Sequence, residues 1–330
     1  MTKNITVIGG GTGQSNLLRG LKKYDIHLSA VVTMADDGGG SGRLREEVGM
    51  LPPGDIRNCI IALSDIEPTM ETLMQHRFRE GSQKGQSFGN LFLAAMNEIY
   101  GDFELAVSKV SEILAVRGRV LPVTLEDVRL SALLENGNRV LGESNISDEC
   151  IKQGCKVKEI QLIPRKVQPF HEVIESIRHA DVIVLGPGSL YTSIIPNLLV
   201  DKVVEALRKS SAVKVYISNL MTEYGETTDY TIADHAEAIF QHCRGSVIDC
   251  IIANRKPISA YYLQKYREKG QEPLFLDEEQ RRKLNEMDIA VLEEELVAVR
   301  NGFLVHDSDR AGSLVMKMAN EREKGKVFYL

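Results

Sequence analysis

Apolar positions along the chain fall into short continuous runs that alternate with stripes at helical spacing. Residues 5–8 form a brief apolar run that stops at glycines, and Leu17, Leu18 and Leu21 then recur as one face of a helix. A second apolar run, 28–33, follows within the length of one strand–helix–strand unit. The pattern changes between 56 and 118. There Ile60, Ile61 and Leu63, then Met70, Leu73 and Met74, then Leu91, Leu93, Ala94 and Ala95 read as helices joined by polar glycine loops. This stretch is expected to be a helical insertion packed near the first loop. Residues 120–124 read as a strand. Residues 128–134 and Arg139–Leu141 flank Asn136-Gly137-Asn138, a strong hairpin signal, and 158–163 is a further strand. Residues 170–179 predict a helix with Val173, Ile174 and Ile177 on one face, and 181–185 a buried strand. Then come a helix at 198–207, a strand at 213–218, a helix at Ile232–Cys243 and a strand at 247–253. Residues 257–330 are charged and read as mostly helical, with a strand near 303–305. Strands alternating with helices predict an α/β fold, a mostly parallel sheet with helices on both faces. With no internal linker evident, 1–330 reads as a single unit.

Composition narrows the function classes. A net charge of -6 over 330 residues leaves no basic footprint, which argues against nucleic acid as a partner. No apolar run approaches the roughly 18 residues of a membrane helix, so membrane insertion is not expected. The first four residues run straight into a strand, which predicts no signal peptide. Cys59, Cys150, Cys155, Cys243 and Cys250 are odd in number and lack CxxC spacing, so reduced thiols and a cytoplasmic location are expected.

Four segments carry candidate chemistry. Gly9-Gly10-Gly11-Thr12-Gly13 lies between a strand and a helix. Glycines permit positive φ and close ligand approach, and the helix start offers free N–H groups and a positive dipole end suited to phosphate. Gln14 interrupts the dinucleotide fingerprint, and no Gly-Lys-Ser/Thr follows to make a Walker A loop. Asp36-Asp37-Gly38-Gly39-Gly40-Ser41-Gly42 follows the second strand. An acid there can bond ribose hydroxyls, and two acids together can hold a hydrated Mg²⁺ beside phosphates. In 52–58, Asp55 either caps a helix or meets the ligand, as Arg57 and Asn58 can; Gly89-Asn90 is similar. Gly186-Pro187-Gly188-Ser189 repeats the design of the first loop, and Asn219, after the next strand, offers both a donor and an acceptor. In open parallel sheets such positions gather at the carboxyl ends of the strands. His235 and His242, seven apart on one helix, read as a surface or packing pair rather than ligands, and Asp307 or Ser308 as a helix cap.

The order of these segments, with 186–197 and 219–228, resembles the bacterial gluconeogenesis factor family, also called the YvcK family, related to the 2-phospho-L-lactate transferases (CofD-like proteins). The resemblance runs over nearly the whole chain. Gln14 departs from the apolar residue expected there, and Gly40 from the usual serine. The resemblance implies a Rossmann-like core with a helical subdomain, a cytoplasmic location, UDP-sugar binding, and a need for the protein in growth on gluconeogenic carbon sources and in cell shape. From the transferase relatives it implies Mg²⁺ at Asp36 or Asp37.

Three readings follow. One is a nucleotide diphosphate-sugar binding protein, possible as a homo-oligomer, with Gly9, Gly10, Gly11, Thr12, Gly13, Asp36, Asp37, Asp55, Asn58, Asn90, Gly186, Pro187, Gly188, Ser189 and Asn219 as the ligand-binding set. Another is a Mg²⁺-dependent group transferase, for which positioning and charge neutralisation suffice without a nucleophile. The third is an NAD(P)-dependent oxidoreductase, weakened by the broken fingerprint and the lack of a placed proton donor. No catalytic residue is assigned.

Overall fold

A computed structural model describes residues 2–323. The chain begins β1 (Lys3–Gly9), α1 (Gly11–Leu21), β2 (Ile26–Val32) and α2 (Gly39–Val48). Four helices follow, α3 (Gly54–Leu63), α4 (Pro68–Gln75), α5 (Phe88–Tyr100) and α6 (Phe103–Ile113). Next are β3 (Arg119–Pro122), β4 (Arg129–Leu134), β5 (Arg139–Leu141), α7 (Ile146–Gln153), β6 (Val157–Ile163), α8 (His171–His179) and β7 (Val182–Leu185). The chain continues with α9 (Ile195–Leu198), α10 (Val203–Lys209), β8 (Val213–Ile217), α11 (Ile232–Cys243), β9 (Cys250–Asn254), α12 (Ala260–Arg267) and α13 (Glu278–Glu286). It closes with β10 (Ala290–Glu294), β11 (Val297–Arg300), β12 (Phe303–His306) and α14 (Ser308–Glu323).

Seven strands form one parallel sheet in the order β10-β9-β8-β7-β1-β2-β3 with helices around it, a Rossmann-like α/β fold. The central strands are apolar at nearly every position because both faces are covered. Leu17, Leu18 and Leu21 of α1 are fully buried, and α1 packs between α3 and α14. A three-stranded antiparallel sheet, β5-β4-β6, stands apart from the main sheet.

Three local differences from the sequence pattern have physical causes. The helix expected at 198–207 is divided: a π turn, Leu190–Ile194, leads into the short α9, and Lys202 at φ +64° separates α9 from α10. Buried Asn197 holds this arrangement by donating to the carbonyls of Gly9 and Ser193. The second glycine loop becomes helix at Gly39, where Gly42 leaves room for the Asp37 carbonyl, 2.0 Å from where a Cβ would stand. The seventh strand, β10, lies within the stretch read as mostly helical. As an edge strand it is half-buried at every position, so it shows neither alternation nor a continuous apolar run.

Candidate functional site

From β1 the chain crosses to β2 and β3 on one side and returns to β7 on the other, so β1 and β7 flank the topological switch point, where ligands of open α/β sheets bind. The loops after these strands touch. A Cβ on Gly13 would stand 2.5 Å from the Pro187 carbonyl oxygen, and one on Gly188 3.3 Å from that of Gly10. Gly11, the first residue of α1, takes φ +66°, a left-handed conformation that glycine adopts without strain. The helix cap Gly10 offers no side-chain acceptor and the first turn of α1 holds no acid, so this positive helix end faces the space between the loops without an anionic side chain of its own first turn.

That space is a cavity of about 370 Å³. Gly10, Gly11, Thr12, Gly13, Pro187, Gly188 and Ser189 line it together with Asn219. The carbonyl oxygen of the Asn219 side chain is buried and has no hydrogen-bond partner. Gly9 stands behind the wall; its carbonyl accepts from Thr33 N and Asn197 Nδ2. Gly186, at φ +78°, is the hinge into the second loop. Tyr266, Leu304, Val305 and His306 close the cavity from the far end of the chain. These were not legible as site residues, because Tyr266 comes from α12 and the other three from β12, elements distant in sequence from the glycine loops. His306 donates from Nε2 to the Ser218 carbonyl, and burial pushes its pKa down to about 4, so the ring is neutral.

The acids separate into two roles. Asp37 accepts from the backbone N–H of Glu143 at 3.1 Å and Ser144 at 2.9 Å and so anchors the turn before α7. Asp36 accepts from the Gly38 N–H at 2.9 Å, and its other oxygen lies 3.0 Å from where a Cβ on Gly54 would stand, while Asp55 Oδ2 lies 2.7 Å from where one on Gly10 would stand. Burial, and then the Asp36 charge, push Asp55 up to about 7, against the Gly11 N–H and Arg57. Glu143, missed by sequence reasoning, is pushed up to about 8 by burial and then by Asp36, Asp37, Asp55 and Glu223. Glu223 accepts from Ser189 Oγ at 2.9 Å, and its second oxygen is buried without a partner.

Among the described residues no three His, Cys, Asp or Glu side chains gather as a metal site. Asp36 and Asp55 are nevertheless two hard oxygen donors whose like charges lack a neutralising cation in contact. Mg²⁺ characteristically takes one or two carboxylates and completes its shell with phosphate oxygens and water. Asp37 is engaged by the Glu143 and Ser144 N–H groups, which leaves Asp36 and Asp55 as the carboxylates that could contribute to such an ion.

The remaining positions lie outside the wall of the glycine-loop cavity, although Asn90 sits against Gly40. Asn58 and Asn90 accept from Arg57 at 2.8 and 2.7 Å, so both hold that guanidinium. His235 bonds the Tyr216 hydroxyl, His242 accepts from the Ile160 N–H, and burial lowers the pKa of both; they are packing residues. Asp307 accepts from the N–H groups of Asp309 and Arg310 at the start of α14. All five cysteines are free thiols.

Fold and cleft define a doubly wound α/β protein with its candidate site at the switch point. The chain belongs to the CofD family: the family model described as 2-phospho-L-lactate transferase CofD matches residues 5–297. It is 46% identical over 318 residues to the gluconeogenesis factor of Bacillus subtilis, covering 96% of this chain and 98% of that one. It is 45% identical to the gluconeogenesis factor of Halalkalibacterium halodurans, covering 96% of each chain. The crystal structure of a UPF0052 family member from Bacillus halodurans superposes with a TM-score of 0.91 at 45% identity, covering 96% of this chain and 99% of that one. No helix among the described residues is long and apolar enough to cross a membrane.

Proposed function

We propose that the protein is a cytoplasmic gluconeogenesis factor that binds a UDP-sugar in the cleft between its two glycine loops. The observation that carries this reading is the contact of Gly13 with Pro187, which sets two glycine loops and the start of α1 around one cavity. A diphosphate suits that position, because backbone N–H groups and a helix dipole stabilise phosphate without a lysine. The orphan oxygens of Asn219 and Glu223 at the cavity call for hydrogen-bond donors, which the hydroxyls of a nucleotide-sugar supply. Relatives named gluconeogenesis factor support a role in gluconeogenesis, and the family resemblance extends the proposal to growth on gluconeogenic carbon and to cell shape. Calorimetry with UDP-N-acetylglucosamine is the direct test; absence of binding at millimolar ligand overturns the reading.

A second reading, Mg²⁺-dependent group transfer, draws on the Asp36–Asp55 pair and the family match. When bound, the ion would neutralise phosphate charge. Asp36 and Asp55 would hold it, the glycine loops would orient the diphosphate, and Glu143, raised to about 8, would hold a proton at its carboxyl at neutral pH. Turnover that survives replacement of Asp36 and Asp55 by Asn removes this reading.

A further inference from the structure

Beside the first turns of α1 and α3 lies a second cavity, of about 610 Å³. Its wall contains Arg19, Arg57 and Arg300 together with Asn58 and Gln75, and no carboxylate. Arg57 is only 7% exposed, and its hydrogen-bond partners are all neutral oxygens: Ser87 Oγ, Asn90 Oδ1 and Asn58 Oδ1. Its Nε–H is buried with no partner. Ser87 is the N-cap of α5, so the guanidinium also meets the positive end of a helix. Burial and then Arg77 push the Arg57 pKa down to about 10, against the charges of Asp55 and Asp36, neither of which pairs with it; a buried cation without a contacting anion is costly. Arg19 is paired with Glu71, whereas Arg300 has no ion-pair partner among the described residues.

We propose that this cavity is an oxyanion site, distinct from the glycine loops, that takes a phosphate or carboxylate group against Arg57 and Arg300. The planar guanidinium fork matches such groups two bonds at a time, which the exposed Arg300 is free to do, while the buried Arg57 lends its charge from the wall. The two cavities share Thr12, Asn16 and Tyr266 in their walls, so an oxyanion here lies next to whatever occupies the glycine loops. It is therefore either a separate small ligand beside the nucleotide or an acidic substituent of the same ligand.

A purely structural role for Arg57, pinning α5 to α3, is the competing account. Arg57→Gln removes both the charge and that clamp, so the decision rests on the exposed Arg300→Gln, which leaves the clamp in place. Calorimetry with inorganic phosphate on the full chain at constant ionic strength reads the site without any nucleotide. The expected result is that Arg300→Gln weakens phosphate binding at least fivefold with an unchanged melting temperature, and that adding Arg19→Gln, which also breaks the pair with Glu71, brings the loss to at least twentyfold. Phosphate affinity that is the same in wild type and both variants overturns the proposal, as does the absence of phosphate binding to wild type. Repeating the titration with saturating UDP separates the two sources. Persistence of the Arg300-dependent step assigns a separate ligand, and its disappearance only with a UDP-sugar assigns a substituent. Failure of UDP-sugars to bind sinks the functional reading above and leaves the phosphate result standing.

Discussion

The N-terminus of α1 has two flanks of opposite character. On one side burial and then Asp36, Asp37, Asp55 and Glu223 raise the Glu143 pKa, and burial and then Asp36 raise that of Asp55, with Arg57 opposing. On the other, Arg57 and Arg300 line a cavity without a carboxylate. The two sets meet at α3, where Arg57 stands two residues from Asp55 and feels its charge and that of Asp36 without forming an ion pair. Ion pairs elsewhere, such as Arg117 with Asp65 or Lys214 with Asp249, are closed by ordinary surface partners. Charge that folding leaves uncompensated on both sides of one phosphate-suited loop marks binding rather than stability.

Loop contact is what brings the flanks together, so the largest effect should come from Gly13→Ala. Its Cβ would sit 2.5 Å from the Pro187 oxygen and 2.8 Å from the Pro187 carbonyl carbon, which are backbone atoms that cannot rotate away. UDP-sugar binding should fall below detection at millimolar ligand. Gly20→Ala on the same helix is the control: its Cβ would meet the Ser308 oxygen at 1.8 Å, on the α14 side of α1. It should destabilise by about 3 kcal/mol, the upper range of overpacking, while the folded fraction keeps its ligand affinity. Equal loss of affinity in both variants would mean that helix packing, and not loop contact, forms the cleft.

Within the acidic flank, Asp55→Asn should abolish stimulation of nucleotide binding by Mg²⁺, measured by titration with and without the ion. Asp37→Ala should leave that stimulation intact and cost about 1 kcal/mol in a denaturant melt, since it removes only the acceptor for Glu143 and Ser144. A reversal of the two results restores the adjacent pair as the cation site.

This contrast shows how far the residues could be read unfolded. The parallel fold was visible because strand and helix periods differ, and Gly9–Gly13 and Gly186–Ser189 announced themselves by composition. Asp36 and Asp37 looked equivalent, because adjacency in sequence does not say which carboxylate a distant backbone turn will claim. Glu143 and His306 carried no local signal; they reach the site through the turn before α7 and the β11–β12 hairpin, contacts of long sequence separation. Strand β10 escaped because half-burial at an edge erases the hydrophobic period.

The pH dependence of the apo protein sharpens the acidic side further. Asp55 moves from an ordinary 3.8 to about 7 on folding, so between those values the folded state holds a proton that the unfolded chain releases. Stability from this group is therefore full below about pH 4 and is lost as pH rises through 7. Glu143 extends the same fall to about 8. Asp55→Asn should flatten the decline between pH 5 and 7 in thermal melts and be more stable than wild type at pH 8. Mg²⁺ affinity of wild type should rise over the same interval, because the ion competes with the proton. A decline equally steep in Asp55→Asn would assign it to other groups.

The smallest effect should come from the position that departs from the family pattern. Gln14 is fully buried in α1, one residue past the loop, and its Nε2 donates to the Val7 carbonyl at 3.0 Å and the Val31 carbonyl at 2.9 Å. Its Oε1 accepts the Cys59 thiol at 3.5 Å. The side chain thus ties α1 to β1 and β2 from beneath and points away from the cavity, whose wall does not include it. Gln14→Leu removes these bonds but returns apolar volume among Val7, Val31 and Cys59, so the net cost should be about 1 kcal/mol in a denaturant melt. Ligand affinity should stay within twofold. A tenfold loss would show that the tie from Gln14 to the strands sets the height of the glycine loop, and the boundary between the cleft and the core beneath it would then have to be drawn one helical turn deeper.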